Sequence, residues 1–195
     1  APDRELIRAR VRKELGIADG VCAVLYAPTW RDDASFSTEL DLVRLAAELG
    51  DGYTMLLRVH NSVAATVAVD EGSGVVNVSG RDDLAELYLA ADVLITDYSS
   101  VMFDFAVTRK PMLFFTYDLA WYRDELRGFY FDFESEAPGP LIDGAADLVD
   151  ALRDVGRVRA EYGDAYERFH RRFCHLEDGR AAERVVDAFF GGAAG

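Results

Sequence analysis

Residues 91–105 read ADVLITDYSSVMFDF, and this stretch decides the fold. Its apolar run 93–95 is short and contains β-branched side chains, which is typical of a buried parallel strand. Apolar residues at helical spacing follow the next polar turn and predict a helix over about 100–109. Ser99 and Ser100 therefore fall where a strand ends and a helix begins. There we expect free backbone N–H groups, two hydroxyls and the helix dipole to bind an anion, with simple helix capping as the alternative.

The same alternation of strand and helix patterns runs through most of the chain. The patterns predict strands at 21–26, 53–59, 75–78, 93–96 and 112–115, and helices at 3–15, 42–49, 84–91 and from 148 towards 190. Such alternation indicates an α/β fold with a parallel, doubly wound, Rossmann-like sheet, whose ligands bind beyond the carboxyl ends of the strands. Residues 121–142 break the pattern, and we expect a long aromatic loop there.

Length and composition fit one domain. The chain has 195 residues, 50% of them hydrophobic, so we expect residues 1–195 to form a single domain with its own core. There is no secretory signal and no apolar run of about 18 residues. A formal charge of −14 argues against nucleic acid as a partner, because the field of the chain repels polyanions. Any anion site must therefore be a local cluster of positive groups.

Two further strand ends carry groups that bind phosphate. The first predicted strand runs into Thr29 and Arg31, a hydroxyl and a guanidinium. The second ends in Arg58 and His60, which strand alternation places on the same side. A guanidinium fork binds two phosphate oxygens, and an imidazole donates a hydrogen bond or carries charge. This setting favours a phosphate clamp over the alternative for His60, an ordinary surface histidine.

Other polar groups fit ordinary structural roles. Asp178 is expected to cap a late helix that carries Arg180, and taken alone this is a solvated charged face. The acidic pairs 32–33 and 82–83 are interpreted as turns or caps, so we expect no metal. The chain contains no dinucleotide-binding glycine motif, no Walker loop and no nucleophile elbow. The two cysteines lie far apart and suggest a reducing compartment.

A series of motifs, in order along the chain, resembles the CDP-glycerol glycerophosphotransferase family, the teichoic-acid primases and polymerases. The motifs are YAPTWRDD (26–33), RVH (58–60), ADVLITDYSSVMFDF (91–105), KP (110–111), YDL (117–119), RGFYFD (127–132) and PGP (138–140). The resemblance covers nearly the whole chain. It implies a GT-B enzyme of two Rossmann-type domains, of which this chain is similar to the C-terminal, nucleotide-binding one. Trp30 stands where the family more often has phenylalanine.

The resemblance also implies a reaction. Glycerol phosphate passes from CDP-glycerol to the hydroxyl end of a lipid-linked, teichoic-acid-type polymer, and CMP is released without a cofactor. His60 matches the catalytic histidine at the donor pyrophosphate. The implied substrate-binding residues are Thr29, Arg31, Arg58, Asp97, Ser99, Ser100, Asp104 near the ribose, and Asp178, Gly179 and Arg180.

The part of the family's enzymes that this chain lacks carries further functions. The chain opens without a methionine inside a helical pattern, so we interpret it as a piece of a longer protein. The family's N-terminal domain supplies a second functional histidine and the surfaces for acceptor and membrane. The resemblance therefore implies a cytoplasmic enzyme, peripheral at the cytoplasmic face of the cell membrane, whose isolated nucleotide-binding domain is inactive alone.

Three alternatives stay open on the residues alone. A GT-B transferase that uses CDP-ribitol or a nucleotide sugar has the same strand-end phosphate sites. A non-catalytic regulatory domain, in which Asp97 accepts a phosphate as in receiver domains, also fits the strand ends. A degenerate domain that only scaffolds an active partner is the third. The acceptor, the choice between primase and polymerase, and the oligomeric state are left open as well.

Overall fold

Six parallel strands form one sheet in the part of the chain that the computed structural model describes, residues 3–30, 39–60 and 69–190. They are β1 (Cys22–Tyr26), β2 (Tyr53–Leu57), β3 (Val75–Asn77), β4 (Val93–Thr96), β5 (Met112–Phe115) and β6 (Leu141–Ile142). Their order across the sheet is β3-β2-β1-β4-β5-β6. This is the order of a doubly wound, Rossmann-like sheet, so the predicted fold class is confirmed.

Helices cover both faces of this sheet. In chain order they are α1 (Arg4–Glu14), α2 (Leu42–Leu49), α3 (Leu84–Ala90), α4 (Val101–Ala106), α5 (Leu119–Trp121), α6 (Phe133–Glu136), α7 (Ala145–Arg153), α8 (Val155–Phe173) and α9 (Ala181–Phe190). Alternate residues of each strand enter different apolar clusters. In β1, Ala23 and Leu25 pack with α3 and α4, whereas Val24 and Tyr26 pack with α2 and α7. The two clusters form the core on either side of the sheet.

Charged side chains attach α1 to the amino edge of the sheet. Arg8 and Arg12 donate to the carboxylate oxygens of Asp92 at 2.6 and 3.0 Å, and the Ala23 N–H donates to the same carboxylate at 2.9 Å. Partial burial acts to raise the pKa of Asp92, but the Ala23 N–H and the two guanidinium groups outweigh it and hold this pKa below its ordinary value. The predicted opening helix is therefore confirmed, and it is fixed to the start of β4.

The prediction of one long loop over 121–142 is wrong. A π-helical turn (Tyr122–Leu126) continues α5, and α6 and β6 follow. These elements are too short to show a periodicity in the sequence. Their order comes from tertiary packing instead: Phe133 is 1% exposed, and its ring lies 5.4 Å from that of Phe114 on β5, centroid to centroid.

The helix α4 is also shorter than the predicted span of 100–109. Its last hydrogen bonds give way to a turn in which the Thr108 hydroxyl donates to the Phe105 carbonyl at 2.7 Å. Arg109 then adopts a left-handed conformation with φ of 58°, and Pro111 lacks the N–H that a continuing helix needs. The helix therefore ends at Ala106 and leads directly into β5.

The helix α9 leaves its apolar side chains exposed. Val185, Val186, Phe189 and Phe190 are each more than half exposed. This helix contributes no buried side chain to the described fold. Among the residues described, no helix combines the length and hydropathy that crossing a bilayer requires.

Gly139 allows the turn between α6 and β6 to approach β5. A Cβ at Gly139 would lie 2.0 Å from the carbonyl oxygen of Met112. The next carbonyl, that of Pro140, accepts from the Phe114 N–H at 3.0 Å and begins the pairing of β6 with β5. Position 139 therefore has no room for a side chain.

The substitution Gly139→Ala should lower the free energy of unfolding by about 2 kcal/mol or more, because β5 backbone atoms cannot move aside as a flexible side chain can. The matched control is Gly52→Ala, where an added Cβ meets no atom within 4 Å. The control should change the free energy by about 0.5 kcal/mol or less. Urea unfolding followed by circular dichroism measures both, and equal midpoints for the two variants would contradict the packing argument.

Candidate functional site

The polar turns that follow β1 and β4 form the candidate site. The strand order reverses between these two neighbours, since β2 lies beyond β1 and β5 lies beyond β4. The turns stay paired past the strand ends: the Ala27 N–H donates to the Ile95 carbonyl at 3.0 Å, and the Thr96 hydroxyl donates to the Ala27 carbonyl at 2.7 Å. Ligands of doubly wound sheets bind in the crevice outside such a reversal.

A buried carboxylate, that of Asp97, joins the two turns. Its Oδ1 accepts from the Thr29 N–H at 2.8 Å and from the Thr29 hydroxyl at 2.6 Å. The same oxygen accepts from the N–H groups of Tyr98 and Ser99 at 2.6 and 3.2 Å. Asp97 is only 3% exposed, and a buried charge is tolerated when several donors surround it. The structure thus brings Thr29, Asp97 and Ser99 together, with the aspartate as the connecting group.

Four of the backbone N–H groups that were expected to be free at this turn already have acceptors within the protein. The amides of Tyr98 and Ser99 donate to Asp97, and those of Met102 and Phe103 donate to the Ser99 and Ser100 carbonyls at 3.2 and 3.1 Å. The buried aspartate and the tight first turn of α4 take these donors. Helix capping is weak as well, because the Ser99 hydroxyl lies 3.5 Å from the Val101 nitrogen and Ser100 makes no side-chain cap.

A cleft of about 330 Å³ opens beside these turns. Its lining comprises Ala27, Pro28, Trp30, Arg58, Val59, His60, Leu84, Ser99 and Val101. Three of the predicted phosphate-binding side chains, Arg58, His60 and Ser99, therefore share one cleft. The exposed His60 ring packs against the Trp30 indole, with 5.3 Å between ring centroids.

Ser79, which the sequence analysis did not single out, sets the position of Arg58. The Arg58 guanidinium donates to the Ser79 carbonyl, and the Ser79 hydroxyl accepts from the Val59 N–H at 3.0 Å. Ser79 is 1% exposed and lies just past the end of β3. The sequence offered one indication of this role, a small polar residue just after a predicted strand. That indication was weak because β3 is short.

Asp104 lies outside this cleft. It lines a second cavity, of about 420 Å³, together with Tyr88, Thr108 and four residues of α1. Leu84 and Val101, which begin α3 and α4, line the first cleft, whereas the second cavity involves residues further along the same two helices. Residues of α3 and α4 therefore contribute to both openings, and α1 forms a further wall of the second.

The segment that follows α8 contacts α4. The Cys174 thiol lies 3.5 Å from the Phe103 carbonyl oxygen. Burial raises the pKa of Asp104, and the negative charge of Glu177 raises it further. The segment that holds Asp178, Gly179 and Arg180 begins directly after Glu177, so it starts beside α4.

Asp178 and Arg180 make ion pairs within their own segment. Arg180 pairs with Glu183 at 2.7 Å, and Arg184 pairs with Asp178 at 2.6 Å. Gly179 has a φ of +80°, which suits glycine at this turn.

Arg31 lies outside the described residues. Within residues 3–30, 39–60 and 69–190, no group of three His, Cys, Asp or Glu side chains could hold a metal ion.

The substitution Asp97→Ala should lower the free energy of unfolding by about 3 kcal/mol, because it leaves buried donors of Thr29, Tyr98 and Ser99 without their acceptor. Asp82→Ala is the control, since Asp82 is an exposed carboxylate on the same edge of the sheet. It should change the free energy by less than about 0.5 kcal/mol. Denaturant unfolding measures both variants, and an Asp97 variant as stable as the control would refute the connecting role.

Known proteins of greater length match this chain. It matches the family described as CDP-Glycerol:Poly(glycerophosphate) glycerophosphotransferase over residues 3–191. It is 41% identical to the teichoic acid glycerol-phosphate transferase of Staphylococcus aureus, over 96% of the chain and 50% of that relative. It is 43% identical to the teichoic acid poly(glycerol phosphate) polymerase of Bacillus subtilis, over 92% of the chain and 25% of that relative. The chain thus spans half or less of these curated relatives.

A solved structure agrees with the sequence comparison. The chain superposes with a TM-score of 0.83 and 35% identity on a variant of the wall teichoic acid polymerase TagF soaked with CDPG. The superposition covers 94% of this chain and 45% of that one. The described sheet and helices therefore correspond to about half of a longer, structurally known protein.

Proposed function

The chain belongs to the CDP-glycerol:poly(glycerophosphate) glycerophosphotransferase family, and from this premise we propose that it is the donor-binding half of such an enzyme. The full-length enzyme transfers glycerol phosphate from CDP-glycerol to the hydroxyl end of a lipid-linked, teichoic-acid-type polymer. The observation that carries the proposal is the meeting of Arg58, His60 and Ser99 in one cleft at the reversal of strand order.

The chemistry of this cleft suits a diphosphate. A guanidinium makes charge-assisted hydrogen bonds to two phosphate oxygens, and the imidazole and hydroxyl add further donors. The chain as a whole carries a formal charge of −14, so its long-range field repels the donor. Binding therefore depends on short-range contacts with Arg58 and His60. These contacts form only if both side chains are held in place. Trp30 and Ser79 supply that fixation.

The proposed reaction is a phosphoryl transfer. A hydroxyl oxygen of the acceptor attacks the phosphorus next to glycerol, the bond from that phosphorus to the bridging oxygen breaks, and CMP leaves with the electron pair. His60, Arg58 and the Ser99 and Ser100 hydroxyls offset the negative charge on the phosphate oxygens and align the donor. The base that accepts the hydroxyl proton belongs to the other half of the enzyme, so the chain alone binds donor without turnover.

The nucleoside of the donor is proposed to extend along the groove between α3 and α4. Asp104 lies further along this groove than Ser99, and its carboxylate is a suitable acceptor for ribose hydroxyls. The segment with Asp178, Gly179 and Arg180 begins beside α4 and is assigned to the same end of the donor. Thr29, which is bonded to Asp97, is assigned to the diphosphate end of the donor. Arg31 is assigned to the same end from its place in the sequence.

The whole enzyme has functions beyond donor binding. The other half supplies the acceptor surface, and the enzyme works at the cytoplasmic face of the membrane, where a nucleotide donor meets a lipid-linked acceptor. No metal or other cofactor is part of the proposed reaction. A receiver-like role for Asp97 is less favoured, because its carboxylate is 3% exposed and accepts hydrogen bonds from two turns.

The folded chain should bind CDP-glycerol and CMP in isothermal titration calorimetry. CDP-ribitol and UDP-sugars serve as competitors, because CDP-ribitol differs from CDP-glycerol only in the polyol, whereas UDP-sugars share the diphosphate but differ in both the base and the transferred group. Tighter binding of CDP-glycerol than of CDP-ribitol supports the glycerol donor, and the reverse order identifies a ribitol transferase. Absence of binding to every nucleotide, by protein shown to be folded, would sink the proposal.

In the full-length enzyme, His60→Ala should lower turnover by about 10²-fold or more, the usual scale for losing one charge-stabilising donor. His175→Ala is the control, since this exposed histidine lies beyond α8 and outside the cleft. Its turnover should stay within about twofold of wild type. Transfer of radiolabelled glycerol phosphate to acceptor measures both variants, and wild-type turnover with His60→Ala would remove His60 from the mechanism.

A further inference from the structure

Tyr98 connects the site to the aromatic segment that follows β5. It lies in sequence between the buried Asp97 and the cleft residue Ser99, and its ring packs in a cluster of aromatic rings. The phenol of Tyr98 donates to the Asp118 carboxylate at 2.9 Å. Tyr98 is 8% exposed, so this bond is largely shielded from water. A single side chain thus links the turn after β4 to the start of α5.

The rings of Tyr98, Tyr122, Phe129 and Phe133 form one cluster of stacked, tilted and edge-on pairs, which we call the aromatic brace. Tyr98 stacks on Tyr122 at 4.1 Å between centroids, and it lies 5.4 Å from Phe129 and 5.7 Å from Phe133. Tyr122 and Phe133 each lie within 5.5 Å of Phe129. The brace therefore holds the Tyr98 ring from several directions.

The aromatic brace is itself anchored in the core. Phe133 packs edge to face on Phe114 of β5, which is fully buried. Tyr122 begins a π-helical turn, and its carbonyl accepts from the N–H groups of Arg127 and Gly128 at 3.1 Å each. π-Helical turns are frequent at functional sites because they redirect side chains locally. The rigid sheet is thereby coupled through the brace to the turn that carries Ser99.

We propose that Tyr98 and Asp118 are positioning residues for the donor site: the Tyr98–Asp118 hydrogen bond sets the orientation of the turn that presents Ser99 and Ser100 to the diphosphate. The inference rests on the proposed function of the cleft. The amides of Tyr98 and Ser99 are bonded to Asp97 on one side of this turn, and the Tyr98 ring is held by the brace on the other. Loss of the phenol bond removes the hydrogen bond that fixes Tyr98 to the start of α5, and so loosens one of the contacts that orient the turn.

The variant Tyr98→Phe tests this role, because it keeps the ring in the brace and removes the phenol's bond to Asp118. The matched control is Tyr166→Phe on α8, whose phenol donates to the Lys110 carbonyl at 2.8 Å and lies away from the cleft. Both variants lose one shielded tyrosine hydrogen bond, so both should lose similar stability. A role confined to stability predicts the same donor affinity for the two.

The positioning role predicts a different pattern. Calorimetry on the chain should show CDP-glycerol binding weakened about fivefold by Tyr98→Phe and unchanged by Tyr166→Phe. Asp118→Ala should weaken binding to the same extent, and Asp118→Asn should restore it, because an amide oxygen still accepts from the phenol. In the full-length enzyme, KM for CDP-glycerol should rise about fivefold with kcat within twofold, since the diphosphate is held in both ground and transition states.

Wild-type donor affinity in both Tyr98→Phe and Asp118→Ala would overturn the inference and leave the proposed function intact. Failure of the unsubstituted, folded chain to bind any nucleotide would instead remove the proposed function, and this inference with it. If Tyr98→Phe does not fold, the Asp118→Ala and Asp118→Asn pair decides the question, because the predicted contrast in affinity between those two variants does not require substitution of Tyr98.

Discussion

The hydrogen bonds to the Asp97 carboxylate are the interaction on which the candidate site depends. One carboxylate oxygen collects donors from the turn after β1 and from the turn after β4. A charge that is 3% exposed needs such a set of donors, because a buried charge without partners costs several kcal/mol. The two turns are therefore held together at the point where the strand order reverses, which is also where the cleft opens.

The other side chains of the site lie on either side of these two turns. On the β2 and β3 side, Ser79 fixes Arg58, and Trp30 packs on His60. On the β5 side, the aromatic brace holds Tyr98 against Asp97 and Ser99. The carboxyl edge thus carries a small cationic and hydroxyl-bearing surface inside a chain of strongly negative charge. Such a surface recognises phosphate by contact geometry more than by long-range attraction.

The sheet could be predicted from the sequence because its strands are short apolar runs separated by helices at regular intervals. The predicted strands at 93–96 and 112–115 coincide with β4 and β5, and their carboxyl ends locate the site. The convergence of Arg58, His60 and Ser99 follows from the same reasoning, since parallel strands all end at one edge. These features depend on local patterns, which a sequence displays directly.

Other features depend on contacts between distant residues. Nothing near Tyr98 in the sequence indicates that its ring stacks on Tyr122 or that its phenol reaches Asp118. The occupied amides after β4 follow from the burial of Asp97, and β6 exists because Gly139 lets the chain close on β5. Ser79 likewise acquires its role only when β3 pairs with β2.

A crystal structure of the chain with CDP-glycerol bound tests the central claim most directly. We expect the diphosphate in the cleft beside Trp30, with its oxygens within hydrogen-bonding distance of Arg58, His60 and the Ser99 hydroxyl, and with Asp97 still buried between the two turns. A diphosphate bound elsewhere on the chain, with those three side chains uninvolved, would contradict it.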